Sequence, residues 1–267
     1  MAAKKRLDLI LVEQGLLPTR ARARSAIMAG QVMVDKQTVD KAGTMIPETA
    51  AVQLKDENPF VSRGGLKLAK ALERFGINLK NRKVLDVGAS TGGFTDCSLK
   101  AGASLVYAVD VGYGQLAWEL RTNPAVVNME RTNIRHLTKG DLSQGLPDFC
   151  CIDVAFISLR LVLPIIVQLL QAPAELVMLI KPQFEAGREQ VGKKGVVQDP
   201  RVHVQVIKNV LKTAEELGFF LWNLDYSPVQ GPQGNTEYLA HGFFGGGAKA
   251  GSCPPEQVVA AAQEHFK

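Results

Sequence analysis

The sequence predicts an α/β fold: a mostly parallel sheet with helices on both faces and an antiparallel edge strand, behind a small N-terminal α+β domain. Three observations carry that expectation. Short apolar runs alternate with helical stretches from residue 83 to residue 180, the rhythm of repeated strand–helix units. The last two strand candidates, "FFLWNLDYS" and "TEYLAHGFF", are joined only by "PVQGPQGN", too short for a crossover helix, so they pair antiparallel. The first 55 residues have a different rhythm and charge. They hold nine Lys/Arg against five Asp/Glu, a net of +4 out of the chain's +5.

In that first piece, Leu7, Ile10, Leu11 and Leu17 predict one short helix. Pro18-Thr19 opens a second, with Thr19 as N-cap and Gly30 as stop. "QVMVDKQTV" reads as a hairpin turning at Asp35-Lys36, and "AAVQL" as a further strand. Arg20 and Arg24 are four apart and share a helix face, while Arg22 points elsewhere. Such a helix is either a solvated basic surface or a phosphate-contacting face, since Arg meets phosphate in a planar fork. Lys4, Lys5 and Arg6 add to the same basic end.

Residues 58–65 read as a linker, with Asn58-Pro59 as breaker. "LKLAKALERFGI" is an amphipathic helix stopped at Gly76. Strands are then expected at "KVLDVGA", "SLVYAVDV", "AVVNM", "FCCIDVAF" and "LVMLIK". The apolar run 161–180 is interrupted by Pro164, Gln168, Gln171, Pro173 and Glu175, which predicts a helix, a turn and a buried strand rather than a membrane span. Cys97, Cys150, Cys151 and Cys253 form no C-x-x-C pair and read as reduced, mostly buried thiols of a cytoplasmic protein. No signal peptide follows the basic start. His136, His203, His241 and His265 lack ligand spacing, so no metal is expected. The expected domains are 1–57, a linker at 58–65, the sheet domain at 66–244, and a Gly-rich tether and tail at 245–267.

The glycine-rich turn after "KVLDV" comprises Gly88, Ala89, Ser90, Thr91, Gly92, Gly93 and Phe94. Strand before and helix after is the context in which backbone N–H groups meet a ligand. A dinucleotide fingerprint needs glycine where Ser90 stands, to let backbone approach a pyrophosphate. Asp110 ends the next strand, 24 residues beyond Asp86, about the separation for a carboxylate gripping a ribose diol. A ribose-bearing ligand without a pyrophosphate fits, namely S-adenosyl-L-methionine. A plain helix-packing turn with a strand-end Asp is the alternative. Asn133, after the third strand, is either an adenine contact or a turn residue, and Arg63 either holds phosphate or caps a helix.

Two resemblances follow from quoted residues. "RLDLIL", "TRARARSAIMAGQVMVD" and "AAVQL" resemble the αL-type RNA-binding module shared by a ribosomal small-subunit protein, pseudouridine synthases and some tRNA synthetases. "VSRGGLKL", "DVGASTGGFTD", "AVDVGYGQLAW", "ERTNIR", "DVAFISL", "KPQFEAGREQVGKKGVVQDP" and "GPQGNTEY" closely resemble the TlyA, or hemolysin A, family across roughly residues 5–243. That family implies a Rossmann-like class I methyltransferase sheet of FtsJ-like type and S-adenosylmethionine-dependent ribose 2′-O-methylation of cytidine in ribosomal RNA. Its Lys-Asp-Lys-Glu catalytic set maps onto Lys67, Asp153, Lys181 and Glu237. It also implies cofactor contacts at Asp86, the glycine turn, Asp110, Asn133 and Asp153.

The residues support part of that map independently. Asp153 and Lys181 each follow an apolar parallel-strand candidate, at the end where open α/β sheets bind ligands. Lys181 is the candidate base, with Asp153 orienting it and Lys67 and Glu237 placing the ribose. "DVAF" replaces the Asn/Asp-Pro-Pro-aromatic turn common in enzymes that methylate exocyclic amines, which suits a hydroxyl acceptor. The expected partners are ribosomal RNA and ribosomal subunits, with no membrane, for a chain acting as a monomer. The competing classes are a non-catalytic RNA-binding assembly factor and a membrane-active hemolysin.

Overall fold

The computed structural model describes residues 4–28, 30–54, 58–246 and 254–267. Cys253 and the stretch 247–252 of the expected tether lie outside the described residues, as do 55–57. The chain forms two compact units, Met1–Pro59 and Phe60–Lys267.

The first unit runs β1 (Lys4–Arg6), α1 (Leu7–Glu13), α2 (Arg20–Met28), β2 (Val32–Val34), β3 (Gln37–Val39), β4 (Met45–Pro47) and β5 (Val52–Leu54). Leu7, Ile10 and Leu11 of α1 meet Ala23, Ala26 and Ile27 of α2 in one small core. Thr19 caps α2 by accepting from the Arg22 amide at 3.3 Å. Asp35 and Lys36 both take positive φ, 50° and 66°, as a two-residue hairpin turn between β2 and β3 requires. The β1–β4 ladder has no signal in the sequence, since "KKR" and "MIP" show no alternation.

Asp8 decides what the basic residues of this unit can do. It is fully buried, and it accepts from Arg6 Nε at 2.9 Å and Arg20 Nε at 2.9 Å. The Arg6 guanidinium foremost, and Arg20 with it, hold its carboxyl down at about 2. Arg6 and Arg20, both expected on RNA, therefore spend donors within the fold. Lys5 pairs with Glu13 at 2.6 Å. Lys4, Arg22 and Arg24 are exposed and form no ion pair among the described residues.

The second unit adds α3 (Gly64–Phe75), β6 (Lys83–Val87), α4 (Gly93–Lys100), β7 (Leu105–Val109), α5 (Trp118–Arg121), β8 (Val126–Met129), β9 (Phe149–Ile152), α6 (Leu159–Leu169), β10 (Ala174–Ile180), α7 (Pro182–Glu185), α8 (Pro200–Glu216), β11 (Phe219–Tyr226), β12 (Tyr238–Phe244) and α9 (Pro255–His265). Seven strands form one sheet in the order β11-β12-β10-β9-β6-β7-β8. Strands β8, β7, β6, β9 and β10 run parallel, and β12 is antiparallel to both of its neighbours. The reversed strand therefore sits one place in from the edge.

Burial on both faces explains the near-continuous apolar strands. Cys150 faces the core under α6 and α8, while Cys151 faces the core under α3 and α4. The interrupted apolar run divides into α6 and β10. Residues 58–65, expected as a linker, belong to the second unit from Phe60 onward. Phe60 packs on the α3–α4 core, the Val61 amide donates to Asp96 Oδ2 at 3.0 Å, and α3 begins at Gly64. Along the expected tail, α9 lays Val258, Val259 and Ala262 on the core shared with α8 and β11.

Asp86, expected on the ligand, lies beneath the glycine turn. Strand alternation puts Leu85 and Val87 on one face and turns Asp86 toward α4, where Thr95 Oγ1 donates to its Oδ2 at 2.6 Å. Its Oδ1 is buried with no hydrogen-bond partner among the described residues. Burial pushes its carboxyl up to about 7. Between the ordinary carboxylate value and about 7, folding takes up a proton. Stability attributable to Asp86 therefore falls as pH rises through that window and is lost above it. Asp86→Asn keeps an acceptor for Thr95 and removes the ionisation. Thermal melting at pH 5 and pH 8 should show a smaller drop for the variant than for the wild type; parallel drops would contradict this account.

Candidate active site

The glycine turn holds its shape through backbone geometry. Gly88 and Gly92 take φ of 87° and 95°, and Ser90 a strained 49°. A Cβ on Gly88 would fall 2.5 Å from the Asp153 carbonyl oxygen, so glycine is required for the turn to cross the end of β9. The amides of Gly88 and Ala89 both donate to Val109 O, at 2.9 and 3.1 Å. Asp110 stands at the end of β7, as the sequence predicts. It ties the turn to the next loop by accepting from the Ser90 amide at 2.7 Å and the Gly112 amide at 2.6 Å.

The four charged residues come together at the carboxyl ends of β9 and β10. Lys67 lies on α3, Asp153 follows β9, and Lys181 follows β10. Glu237 joins them because β12 is reversed: Tyr238 pairs with Ile180, so the residue entering β12 lies beside the residue leaving β10. Lys67 Nζ is 3.2 Å from Asp153 Oδ2 and 2.7 Å from Glu237 Oε2. Lys181 Nζ is 2.5 Å from Asp153 Oδ1. Lys67 and Lys181 are each only 9% exposed and Glu237 1%. Burial works to lower the Lys67 pKa, but Asp153 and Glu237 outweigh it and hold the ammonium above its ordinary value. Burial likewise works to raise the Asp153 pKa, and the two lysines reverse that and keep it ionised.

Three cavities meet at this cluster. One of about 730 Å³ runs past Gly88, Ser90, Asp110, Asn133 and Asp153. A second, about 350 Å³, is lined by Arg63, Lys67, Thr91, Phe94, Lys181 and Glu237. A third, about 340 Å³, is lined by Phe156, Lys181, Gln183, Phe184, Asn235 and Glu237. Gly88, Ala89, Ser90 and Gly93 line the second as well. Asp86 and Gly92 line none of the three. Arg63 faces the second cavity and makes no ion pair among the described residues. Asn133 Oδ1 accepts from the Arg135 amide at 3.1 Å, so it shapes a turn while lining the first cavity.

Sequence reasoning missed several lining residues. Phe156 is 91% exposed at a φ of 62°, on the rim shared by the first and third cavities. The only sequence signal was its place in "DVAF". Gln183 Oε1 is buried with no hydrogen-bond partner among the described residues, an orphan atom in the wall of the third cavity. Ser62 and Gln115 also line cavities, and nothing in their spacing marks them. Among the described residues no His, Cys, Asp or Glu side chains cluster to hold a metal, and no helix is long and apolar enough to cross a membrane.

Residues 60–244 match the FtsJ-like methyltransferase family and residues 5–52 the S4 domain. The chain is 45% identical to the 16S/23S rRNA (cytidine-2′-O)-methyltransferase TlyA of Mycobacterium tuberculosis, over 90% of each protein. It is 40% identical to Hemolysin A of Brachyspira hyodysenteriae, over 88% of this chain and 98% of that one. A solved structure from Streptococcus thermophilus, provisionally described as a hemolysin, superposes with a TM-score of 0.78 at 44% identity, covering 100% of this chain and 98% of that one. With the FtsJ-like match over most of its length, an S4 domain before it and these full-length relatives, the chain belongs to the TlyA/hemolysin A family of FtsJ-like methyltransferases.

Proposed function

We propose that this chain methylates the ribose 2′-hydroxyl of a cytidine in ribosomal RNA, using S-adenosyl-L-methionine. The observation that carries this reading is the convergence of Lys67, Asp153, Lys181 and Glu237 where three cavities meet. Cytidine and ribosomal RNA come from the M. tuberculosis relative named for that reaction.

The residues present fit the cofactor. Gly88 and Ser90 of the glycine turn line the largest of the three cavities together with Asp110, which stands at the end of β7. When bound, S-adenosylmethionine supplies an electrophilic methyl on its sulfonium. The chain then has to align a hydroxyl with that methyl and take the hydroxyl's proton. Lys67, held charged by two carboxylates, is suited to positioning. Lys181 has one carboxylate partner and lines both smaller cavities, so it is the base. Asp153 orients Lys181, and Glu237 fixes Lys67 and faces the acceptor. The orphan Oε1 of Gln183 supports a polar acceptor in the third cavity. Arg63 and Asn133 contribute to the cavity walls, and Arg22 and Arg24 supply exposed cations of the S4 domain that form no ion pair among the described residues. No step requires a metal ion, and a ribosomal substrate supports action in the cytoplasm.

Lys181→Ala leaves Asp153 still paired with Lys67, so the fold should survive. The expected result is a fall in kcat of about 10²–10⁴-fold with unchanged cofactor affinity, measured by labelled methyl transfer to unmodified ribosomal subunits. Near wild-type turnover would remove Lys181 from the base role. For the S4 domain, Arg22→Ala/Arg24→Ala should weaken RNA binding and flatten its salt dependence by roughly one to two phosphate contacts. An unchanged slope would place the RNA face elsewhere.

A further inference from the structure

The segment "GREQVGKKGVVQDP" takes no part in the chemistry above, yet it borders the site. Residues 186–199 leave α7 and return to α8 as a strap. Three ties fix it. Asn235 Nδ2 donates to Gly195 O at 3.0 Å. His203 Nε2 donates to Val197 O at 2.8 Å, while its Nδ1 accepts from the Tyr238 hydroxyl at 2.6 Å. That pairing suits a neutral ring, and burial holds the His203 pKa below its ordinary value. Within the strap, the Gly192 amide donates to Val196 O at 3.0 Å and the Gly195 amide to Gly192 O at 2.8 Å. The second bond closes a four-residue turn with Gly195 at its last position and φ of 73°.

Lys193 and Lys194 occupy the two central positions of that turn, the tip of the strap. Val191 and Gly195, on either side, line the third cavity together with Lys181 and Glu237. Both lysines are exposed, and neither meets a carboxylate among the described residues. The lysines of α8 differ: Lys208 pairs with Glu256 and Lys212 with Glu216. Two adjacent like charges without a counter-ion are mildly unfavourable, and an anion at the tip would relieve them. The strap beneath is already ordered, so seating an anion there costs little conformational freedom.

We propose that this strap is a phosphate clamp: Lys193 and Lys194 hold backbone phosphates of the RNA strand beside the nucleotide seated at the charge cluster. The proposal rests on the RNA-methylation reading. Lysine suits the task because a compact point charge on a flexible stem follows a phosphate without demanding a planar partner. Such contacts fix register on the strand and carry no base preference.

The test compares full-length Lys193→Ala/Lys194→Ala with Lys208→Ala/Lys212→Ala. The second pair removes the same charge from residues that line none of the three cavities. Methyl transfer to unmodified ribosomal subunits is followed over a salt series. The strap variant should show KM raised about tenfold, kcat and cofactor affinity unchanged, and a salt slope shallower by about 1–2, as loss of one or two phosphate contacts dictates. The α8 variant should match the wild type. Unchanged KM and slope would overturn the clamp, as would an equal shift in the α8 variant. A loss confined to kcat would overturn it too, because the strap would then be shaping the cavity. If the wild type itself transfers no methyl, the methylation reading falls and the clamp with it.

Discussion

The second unit's site depends on the way Asp153 and Glu237 hold Lys67 charged inside the protein. Burying an ion costs several kcal/mol, and attraction offsets that only where geometry is good. Here Lys67 and Lys181 lie within hydrogen-bonding range of Asp153 and Glu237, at 2.5 to 3.2 Å. Asp153 bridges the two lysines, and its removal would leave Lys181 alone in the cavity wall. The arrangement also separates two cations of one type by their partners. Among the described residues Lys67 meets two carboxylates and Lys181 one.

Topology supplies that geometry. A parallel sheet gathers the ends of β6, β7, β9 and β10 on one side, which places the glycine turn, Asp110, Asp153 and Lys181 together. A further parallel strand could not deliver its leading residue there. Reversal of β12 does, because its start lies beside the end of β10. The same reversal puts Tyr238 against His203 and so connects the charged corner to the strap. One change of strand direction thus serves both the charge cluster and the rim that borders it.

Much of this was legible in the sequence. Apolar runs separated by helical stretches gave the sheet, and Gly88 and Asp110 marked strand ends that border a cavity, because close backbone approach and strand-end carboxylates have local signatures. The charged set was legible chiefly through family resemblance, since Lys67 and Glu237 are 170 residues apart and no local pattern joins them. Asp86 shows where local reading goes astray. Its place in the motif pointed to a ligand, but strand alternation turns it onto Thr95. Arg6 and Arg20 are similar, because only the fold shows Asp8 buried between them. Phe156, Gln183 and the strap ties were silent, as each depends on contacts between distant segments. The boundary at Phe60 was missed because a breaker at Asn58-Pro59 says nothing about where packing begins.

The central claim is that this charge cluster directs a methyl group to a ribose hydroxyl of RNA. The most direct measurement is to incubate the pure protein with labelled S-adenosylmethionine and unmodified ribosomal subunits, digest the RNA to nucleosides and identify the labelled one by mass spectrometry. The account predicts label in 2′-O-methylcytidine. Label in a base-methylated nucleoside, or no label in RNA, would contradict it.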